Sequence, residues 1–368
     1  MRRISKVVLL LLSSFAFSQE QFTIELTALP FESDSLLLAP PTTSRNTISL
    51  YQLNLSGDHK NVKSIANSKA AKIRIEPRNT ISGTVPCPLP MLMMAPKEDK
   101  SFQQSKIFFI EHGNLNINIK DKDLTLDLSK DAVLNKDYKQ LKSYLLAVDK
   151  KLKPFENNNQ ADLDEKEKLL KAYIKKNPDS YPAFWEIVDA FSKYGFHKGY
   201  LTDLPLFSKK LKASPCFKDF EKILLLENST NTGEKFPKIV FKSGDRITRE
   251  DFTNHKITVI DYWSTTCKPC IQELPGLVKL YEKYKNKGVN FISVADEKTP
   301  QRMQLANKII KDNHVPWKNY FDTGKEFTRK LNAAGYPLFI MIDRDGKIIS
   351  RELGGQEILE ALIEKHIN

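Results

Sequence analysis

Two cysteines, Cys267 and Cys270, are spaced C-x-x-C within residues 263–270, which read WSTTCKPC. The preceding residues 257–263, ITVIDYW, are β-branched and aromatic enough to form a buried strand, and apolar residues after the second cysteine recur at helical spacing. The pair is therefore expected where a strand turns into a helix. Two thiols in this position can form a redox-active dithiol that exchanges with other disulfides.

The helix start predicts which thiol reacts first. The attacking species in disulfide exchange is the thiolate, and a helix N-terminus and a neighbouring cation, here Lys268, both stabilise it. The pKa of a free thiol, roughly 8.5, falls to about 3.5 to 7.5 at such positions. Cys267 is therefore the expected nucleophile, and Cys270, one turn deeper, the expected resolving thiol. Pro269 is tolerated in the first turn, which does not need its missing N–H, and it stiffens the loop.

The last third of the chain, residues 234–368, resembles the thioredoxin fold, and specifically the TlpA/ResA-like thiol-disulfide oxidoreductases. Besides the two cysteines, the resemblance depends on Asp261 and Trp263 before the first cysteine and on Pro275 after the second. It also depends on residues 334–347, AGYPLFIMIDRDGK, which are similar to the family's cis-proline loop, strand and hairpin turn. The resemblance implies an α/β fold in which helices flank a central mixed sheet.

The same resemblance implies how a substrate binds. Pro337 would be the cis-proline that faces the dithiol, and the backbone beside it would pair with the substrate chain, which makes Tyr336 a substrate-contact residue. Three residues around the dithiol complete the predicted substrate-binding set: Trp263, Lys268 and Pro269. The stretch between the dithiol and the proline is about one βα unit longer than a minimal thioredoxin needs, and residues 300–317 are expected to form a helix that leads into a short strand.

Two acidic residues match positions that the family uses near its dithiol, and we add them to the catalytic set. Asp261 would pass protons to and from Cys270, with a pKa raised by desolvation; the alternative is a solvent-exposed aspartate at a strand end. Glu273 matches a glutamate near the active-site cavity, and the alternative is an ordinary surface residue of a helix.

The beginning of the chain predicts its compartment. Arg2, Arg3 and Lys6 precede an apolar run over residues 7–17, and small residues before Gln19 fit a cleavage site. Because crossing a bilayer takes around 20 apolar residues, this run is expected to be a signal peptide, without a transmembrane anchor. The mature protein is expected to be periplasmic.

Four segments are predicted along the chain: a signal peptide over 1–18, a β-rich N-terminal domain over 19–130, a helical segment and linker over 131–233, and the thioredoxin-like domain over 234–368. Apolar and polar residues alternate in the second segment, which predicts half-buried antiparallel strands at 22–26, 47–53 and 115–119. Helical spacing follows, at 138–145 and 169–174, and residues 228–233 are expected to form the linker. This order of elements resembles Bacteroidetes-type members of the family.

The other two cysteines, Cys87 and Cys216, could form a disulfide between the second and third segments, or both could be buried and unpaired. A zinc site built from all four cysteines is not expected, because there is a single C-x-x-C. Met91, Met93 and Met94 could suggest copper, but an apolar loop packed on the core explains them better. The sequence thus predicts no metal and no cofactor.

Charge does not point to nucleic acid. The formal net charge is +12, but lysines are interspersed with glutamates and no arginine-rich run occurs.

We expect a thiol-disulfide oxidoreductase that reduces exported proteins with cysteine pairs, with cytochrome c maturation as one pathway. Its electrons would come from a membrane thiol-transfer protein. The alternatives are a disulfide-forming oxidant or isomerase of the same fold, or a binding protein with a redox-sensing dithiol.

Overall fold

The computed structural model describes residues 20–28, 34–42, 47–56, 61–67, 69–99, 101–129, 132–156, 158–333, 335–353 and 356–367. The predicted signal peptide lies outside these ranges. None of the helices within them is both long enough and apolar enough to cross a membrane.

The first part of the described chain is built of β-strands. Their bounds are β1 Glu20–Ala28, β2 Ser35–Ala39, β3 Asn54–Leu55, β4 Val62–Ile65, β5 Ala70–Arg74, β6 Arg78–Val85, β7 Leu89–Pro96, β8 Phe102–Gln104, β9 Phe108–Ile110, β10 Gly113–Ile119 and β11 Leu126–Leu128. One sheet has the order β11-β10-β1-β6-β3, and a second has the order β4-β5-β2-β7-β8, with β9 also paired to β7. The alternating sequence pattern buries one face, as β6 shows, where every second residue is buried.

Three details of this region differ from the sequence prediction. Residues 47–53 do not form a strand, because Ile48–Leu50 is a 3₁₀ helix whose polar Ser49 points to solvent while Leu50 is buried. β1 pairs with β10 in parallel, although it pairs with β6 in the expected antiparallel sense. The methionine-rich residues expected in a loop belong to β7, where Met91 and Met93 are fully buried.

Six helices follow in the described chain: α1 Val133–Asp149, α2 Gln160–Lys176, α3 Tyr181–Tyr194, α4 Gly199–Asp203, α5 Lys209–Ala213 and α6 Pro215–Ser229. They share one hydrophobic core with the two sheets. Cys87, just before β7, forms a disulfide with Cys216 in the first turn of α6, and the Trp185 indole N–H donates to the Pro88 carbonyl at 2.7 Å. The β-rich and helical segments are thus one packed body.

The last third forms the α/β unit. Its elements are β12 Ile239–Val240, β13 Arg246–Ile247, α7 Glu250–Thr253, β14 Ile257–Trp263, α8 Lys268–Tyr284, β15 Val289–Ala295, α9 Pro300–Asp312, β16 Lys318–Phe321, α10 Glu326–Leu331, β17 Leu338–Asp343, β18 Ile348–Leu353 and α11 Gln356–Ile367. The central sheet has the order β16-β15-β14-β17-β18. The first three of these strands are mutually parallel, whereas β17 runs antiparallel to β14 and β18 to β17. This is the predicted thioredoxin fold, with α9 and β16 as the predicted extra βα unit.

β14 lies at the centre of that sheet, and all seven of its residues are buried. Apolar clusters pack on its two faces, which explains why its sequence reads as a continuous apolar run instead of an alternating one. Because β14 leads directly toward the C-x-x-C segment, the dithiol is attached to a fully buried strand at the centre of the sheet.

The expected linker is part of a defined interface. α6 extends to Ser229, so the first two of residues 228–233 are helical. After it, the Gly233 N–H donates to the Ile348 carbonyl and the Ile348 N–H donates to the Glu234 carbonyl, both at 2.8 Å. The chain that joins the two bodies therefore lies along β18.

Candidate active site

The C-x-x-C segment lies at the predicted junction between strand and helix. Cys267 is the N-cap of α8, and its Sγ accepts a hydrogen bond from the Cys270 N–H at 3.2 Å. The two cysteines form a disulfide, with 8% of Cys267 and 3% of Cys270 exposed. Cys267 is therefore the more exposed residue of the two, and it lies where the positive end of the helix dipole stabilises a thiolate.

The surroundings of the disulfide are apolar. The two cysteines cluster with Trp263, Ala295 and Ala306, and partly buried side chains pack against this cluster, namely Ile271, Ile309, Ile310, Phe321 and Tyr336. Trp263 was predicted to contact substrate, and the structure corrects this, because its side chain is 1% exposed and packs against the disulfide from inside the protein. Lys268 and Pro269, the first two residues of α8, are exposed as a substrate-contact role requires.

The cis-proline loop lies beside the dithiol. The Tyr336–Pro337 peptide bond is cis, and Pro337 is buried directly before β17. Since Leu338 pairs with Tyr262 on β14, the loop lies next to the end of the strand that leads to the cysteines. Tyr336 is half-buried, and its side chain packs both on the dithiol cluster and on the Tyr262 ring, 5.2 Å between centroids.

Asp261 is a buried member of β14, with 2% of the residue exposed, which excludes the solvent-exposed alternative. The Ser293 hydroxyl donates to its Oδ2 at 3.0 Å, and the Trp317 indole N–H donates to the same hydroxyl at 2.8 Å. Burial raises the pKa of Asp261 to about 7, the hydrogen bond from Ser293 opposes this shift, and the charge of Glu273 adds to it.

Glu273, in the second turn of α8, is partly buried, and burial raises the pKa of its carboxyl group. Its Oε2 is enclosed and has no hydrogen-bond partner within the described residues. Because its charge acts on Asp261, the structure brings the two predicted acidic residues into one electrostatic environment. An ordinary surface glutamate would have neither property.

Sequence reasoning missed two further acidic residues, Asp296 and Glu297, which follow β15. Glu297 is 3% exposed, and its Oε1 accepts hydrogen bonds from the Thr265 N–H at 2.5 Å and from the Ser264 hydroxyl at 3.3 Å. It therefore anchors the loop between β14 and the first cysteine. Their position directly after β15 could have indicated this role. Because β14 and β15 are parallel, the residues that follow these two strands meet at one edge of the sheet.

Asp296 anchors the other side of the site. Its N–H donates to the Trp263 carbonyl at 2.8 Å, and its Oδ2 accepts hydrogen bonds from both the Tyr336 hydroxyl and the Lys325 ammonium group. Adjacent residues at the end of β15 thus bind the two loops that flank the dithiol. Within the described ranges, no group of three or more His, Cys, Asp or Glu side chains could hold a metal ion.

Comparison with known proteins agrees with this geometry. The family model described as Redoxin matches residues 231–362. The thiol-disulfide oxidoreductase ResA of Bacillus thuringiensis subsp. konkukian is 31% identical over 140 residues, which are 38% of this chain and 78% of that protein. ResA of Bacillus subtilis is 23% identical over 144 residues, 39% of this chain and 77% of that protein.

Among solved structures, the thioredoxin domain of a thiol-disulfide oxidoreductase from Bacteroides vulgatus is 27% identical. That likeness covers 37% of this chain and 98% of that domain, with a TM-score of 0.32. The match to ResA spans more than two thirds of that enzyme, and it falls on the unit that carries the dithiol. Through this C-terminal unit, the chain belongs to the ResA-type thiol-disulfide oxidoreductases.

Proposed function

We propose that this oxidoreductase acts in the periplasm as a reductant of disulfide bonds in other exported proteins. The observation that carries the proposal is the placement of Cys267, the more exposed cysteine, at the N-cap of the 17-residue helix α8. Its thiolate attacks a substrate disulfide, forms a mixed disulfide and expels one substrate thiolate. The thiolate of Cys270 then attacks the Cys267 sulfur, which releases the second substrate thiolate and leaves the Cys267–Cys270 disulfide.

Proton movement in the second step is the proposed role of Asp261. In the proposed cycle Cys270 attacks as a thiolate, so its thiol group must lose a proton before the second step. A carboxyl group with a pKa of about 7 can exchange that proton near neutral pH, whereas an ordinary carboxylate is too weak a base. Burial also raises the pKa of Glu273, which supports this carboxyl group as a second, more exposed site for the proton.

The location and the partners belong to the same proposal. The predicted signal peptide over residues 1–18 supports export, and a mature N-terminus near Gln19, found by mass spectrometry, is the expected result. Two electrons per cycle must come from outside, and we assign them to a membrane thiol-transfer protein. A Cys270→Ser variant should trap mixed disulfides at Cys267, and trapped cytochrome c maturation proteins would identify that pathway.

The reduction potential of the Cys267/Cys270 pair tests the direction of the reaction. We expect equilibration in defined thiol buffers to give a value near that of thioredoxin, about −270 mV. A value near the oxidising extreme, about −120 mV, would contradict a reducing role and indicate a disulfide donor. Absence of a reversible redox couple would favour the alternative of a binding protein. A Cys267→Ser variant, which cannot form the disulfide, is the negative control for this measurement.

A further inference from the structure

Tyr336 links the substrate-binding loop to an ion pair between buried Asp296 and partly exposed Lys325. Its ring packs against the cluster that holds both cysteines, and its hydroxyl donates to Oδ2 of Asp296. Only 7% of Asp296 is exposed, and the Lys325 ammonium group donates to the same oxygen. Hydrogen bonds to charged groups are among the stronger ones in proteins, so the position of the Tyr336 ring is well determined.

Both partners of Tyr336 are held by the fold. The Asp296 N–H is bonded to the Trp263 carbonyl, which fixes the aspartate to the end of β14. Lys325 is the N-cap of α10 and adopts a left-handed backbone conformation, φ 63°, directly after a turn at Thr323 and Gly324. Two of the next residues of α10 extend the support, because the Phe327 ring stacks on Tyr262 at 4.7 Å and Thr328 shares a hydrogen bond with the Tyr262 hydroxyl at 2.6 Å.

We propose that Asp296 and Lys325 are positioning residues that act through Tyr336 to align polypeptide substrates with the dithiol. This inference rests on the proposed function. A polypeptide must lie along the cis-proline loop while its sulfur meets Cys267, so its reaction requires the backbone of Tyr336 in one place. A small disulfide needs only access to the sulfur. Asp296 and Lys325 therefore favour the reduction of protein disulfides over that of small disulfides. They leave the chemistry of the dithiol unchanged.

The test compares two substrates, insulin and bis(2-hydroxyethyl) disulfide, by kcat/KM. We expect Tyr336→Phe, which removes the hydrogen bond, and Asp296→Asn, which removes the charge that strengthens it, each to lower kcat/KM for insulin about tenfold, and we expect Asp296→Asn to leave kcat/KM for the small disulfide within about twofold. The double variant should lose little more than either single one, because both changes act on the same interaction. Lys325→Met should act like Asp296→Asn, and Lys325→Arg should restore activity toward insulin.

Tyr320→Phe is the matched control, since it removes a tyrosine hydroxyl that bonds the Arg246 carbonyl at the far edge of the same sheet. Equal losses for both substrates, additive losses in the double variant, or a changed reduction potential would overturn the proposal. If Asp296→Asn fails to fold, a double-mutant cycle of Tyr336→Phe and Lys325→Met, measured by kcat/KM for insulin, tests the proposal instead. Wild-type protein that reduces neither substrate would refute the proposed function itself, whereas Cys267-dependent reduction by all variants alike would refute this inference alone.

Discussion

Asp261 shows how one buried side chain sets the behaviour of the site. It lies on a strand with no exposed residue, and the charge that acts on it, that of Glu273, has the same sign as its own. The charged form of Asp261 is therefore disfavoured in the folded protein. Its folded pKa of about 7 exceeds the value of 3.8 expected for an unperturbed aspartate, so folded protein holds this proton between those two pH values and unfolded protein does not.

This difference predicts how stability depends on pH. The stability of the α/β unit should fall as pH rises from about 4 to about 7, and Asp261→Asn should remove the fall while still accepting the Ser293 hydrogen bond. Relative to wild type, the Asp261→Asn variant should gain at most about 4 kcal/mol in the free energy of unfolding at pH 8, and this gain should vanish near pH 4. Thermal unfolding of both proteins at the two pH values measures it.

Asp312→Asn is the control for that measurement, because it alters an exposed ion pair at the end of α9 and should change stability by less than about 0.5 kcal/mol at either pH. An Asp261→Asn protein no more stable than wild type at pH 8 would show that the buried carboxyl carries no such penalty.

Single residues also show what sequence can predict. The positions of Asp261 and Glu273 follow from a resemblance carried by local motifs, since each lies a fixed distance from a cysteine. Asp296 and Glu297 lie 26 and 27 residues after Cys270 and touch the site through loops. No local pattern encodes such a contact, because it depends on where the neighbouring strand ends.

At the scale of elements, the end of β15 holds the loop before Cys267 in place. Glu297→Ala should leave the Thr265 N–H without its buried partner, which costs about 1 to 3 kcal/mol and displaces the nucleophile. We expect lower thermal stability and slower reduction of both protein and small disulfides. Glu297→Gln keeps an acceptor oxygen and should retain most of both properties, and unchanged rates in Glu297→Ala would contradict the anchoring role.

Elements with strong local signals were predictable, and pairings between distant ones were not. β14, the start of α8 and the cis-proline loop are each encoded by residues that are adjacent in the sequence. By contrast, the parallel pairing of β1 with β10 joins residues about ninety positions apart, and alternation in sequence cannot specify its direction. Residues 47–53 alternate like a strand, yet Ile48–Leu50 form a 3₁₀ helix, and within the described residues none of 47–53 is paired in a sheet.

At the scale of the whole molecule, Arg351 joins the two packed bodies. Its guanidinium group donates to Glu227 of α6 at 2.8 Å and to the Leu331 carbonyl of the α/β unit at 2.6 Å, and the Asn332 side chain donates to the same glutamate at 2.7 Å. The exposed fractions of the Arg351 and Glu227 side chains are 9% and 13%. A largely buried pair of this kind is costly to break from one side, because the remaining charge stays desolvated.

We therefore expect Arg351→Ala to weaken the interface by about 3 to 5 kcal/mol. Calorimetry should then resolve two unfolding transitions, and limited proteolysis should cleave within residues 230–238 faster than in wild type. Lys308→Ala, which removes the exposed partner of Asp312, is the control and should change neither result. A single unchanged transition in Arg351→Ala would mean that apolar contacts alone hold the bodies together.

The disulfide between Cys87 and Cys216 has a consequence for how this protein is made. Four cysteines allow three complete pairings, and one of these gives both the cross-link in the first body and an independent C-x-x-C pair in the second. The cross-link spans 129 residues of chain and leaves both of its cysteines at most 2% exposed, whereas the other pair closes within a single turn and leaves Cys267 8% exposed. In the folded protein, burial shields the Cys87–Cys216 disulfide from attack by thiols, including the thiols of other copies of the same protein. A thiol-disulfide oxidoreductase thus carries, besides its redox-active cysteine pair, a structural disulfide that burial protects from exchange.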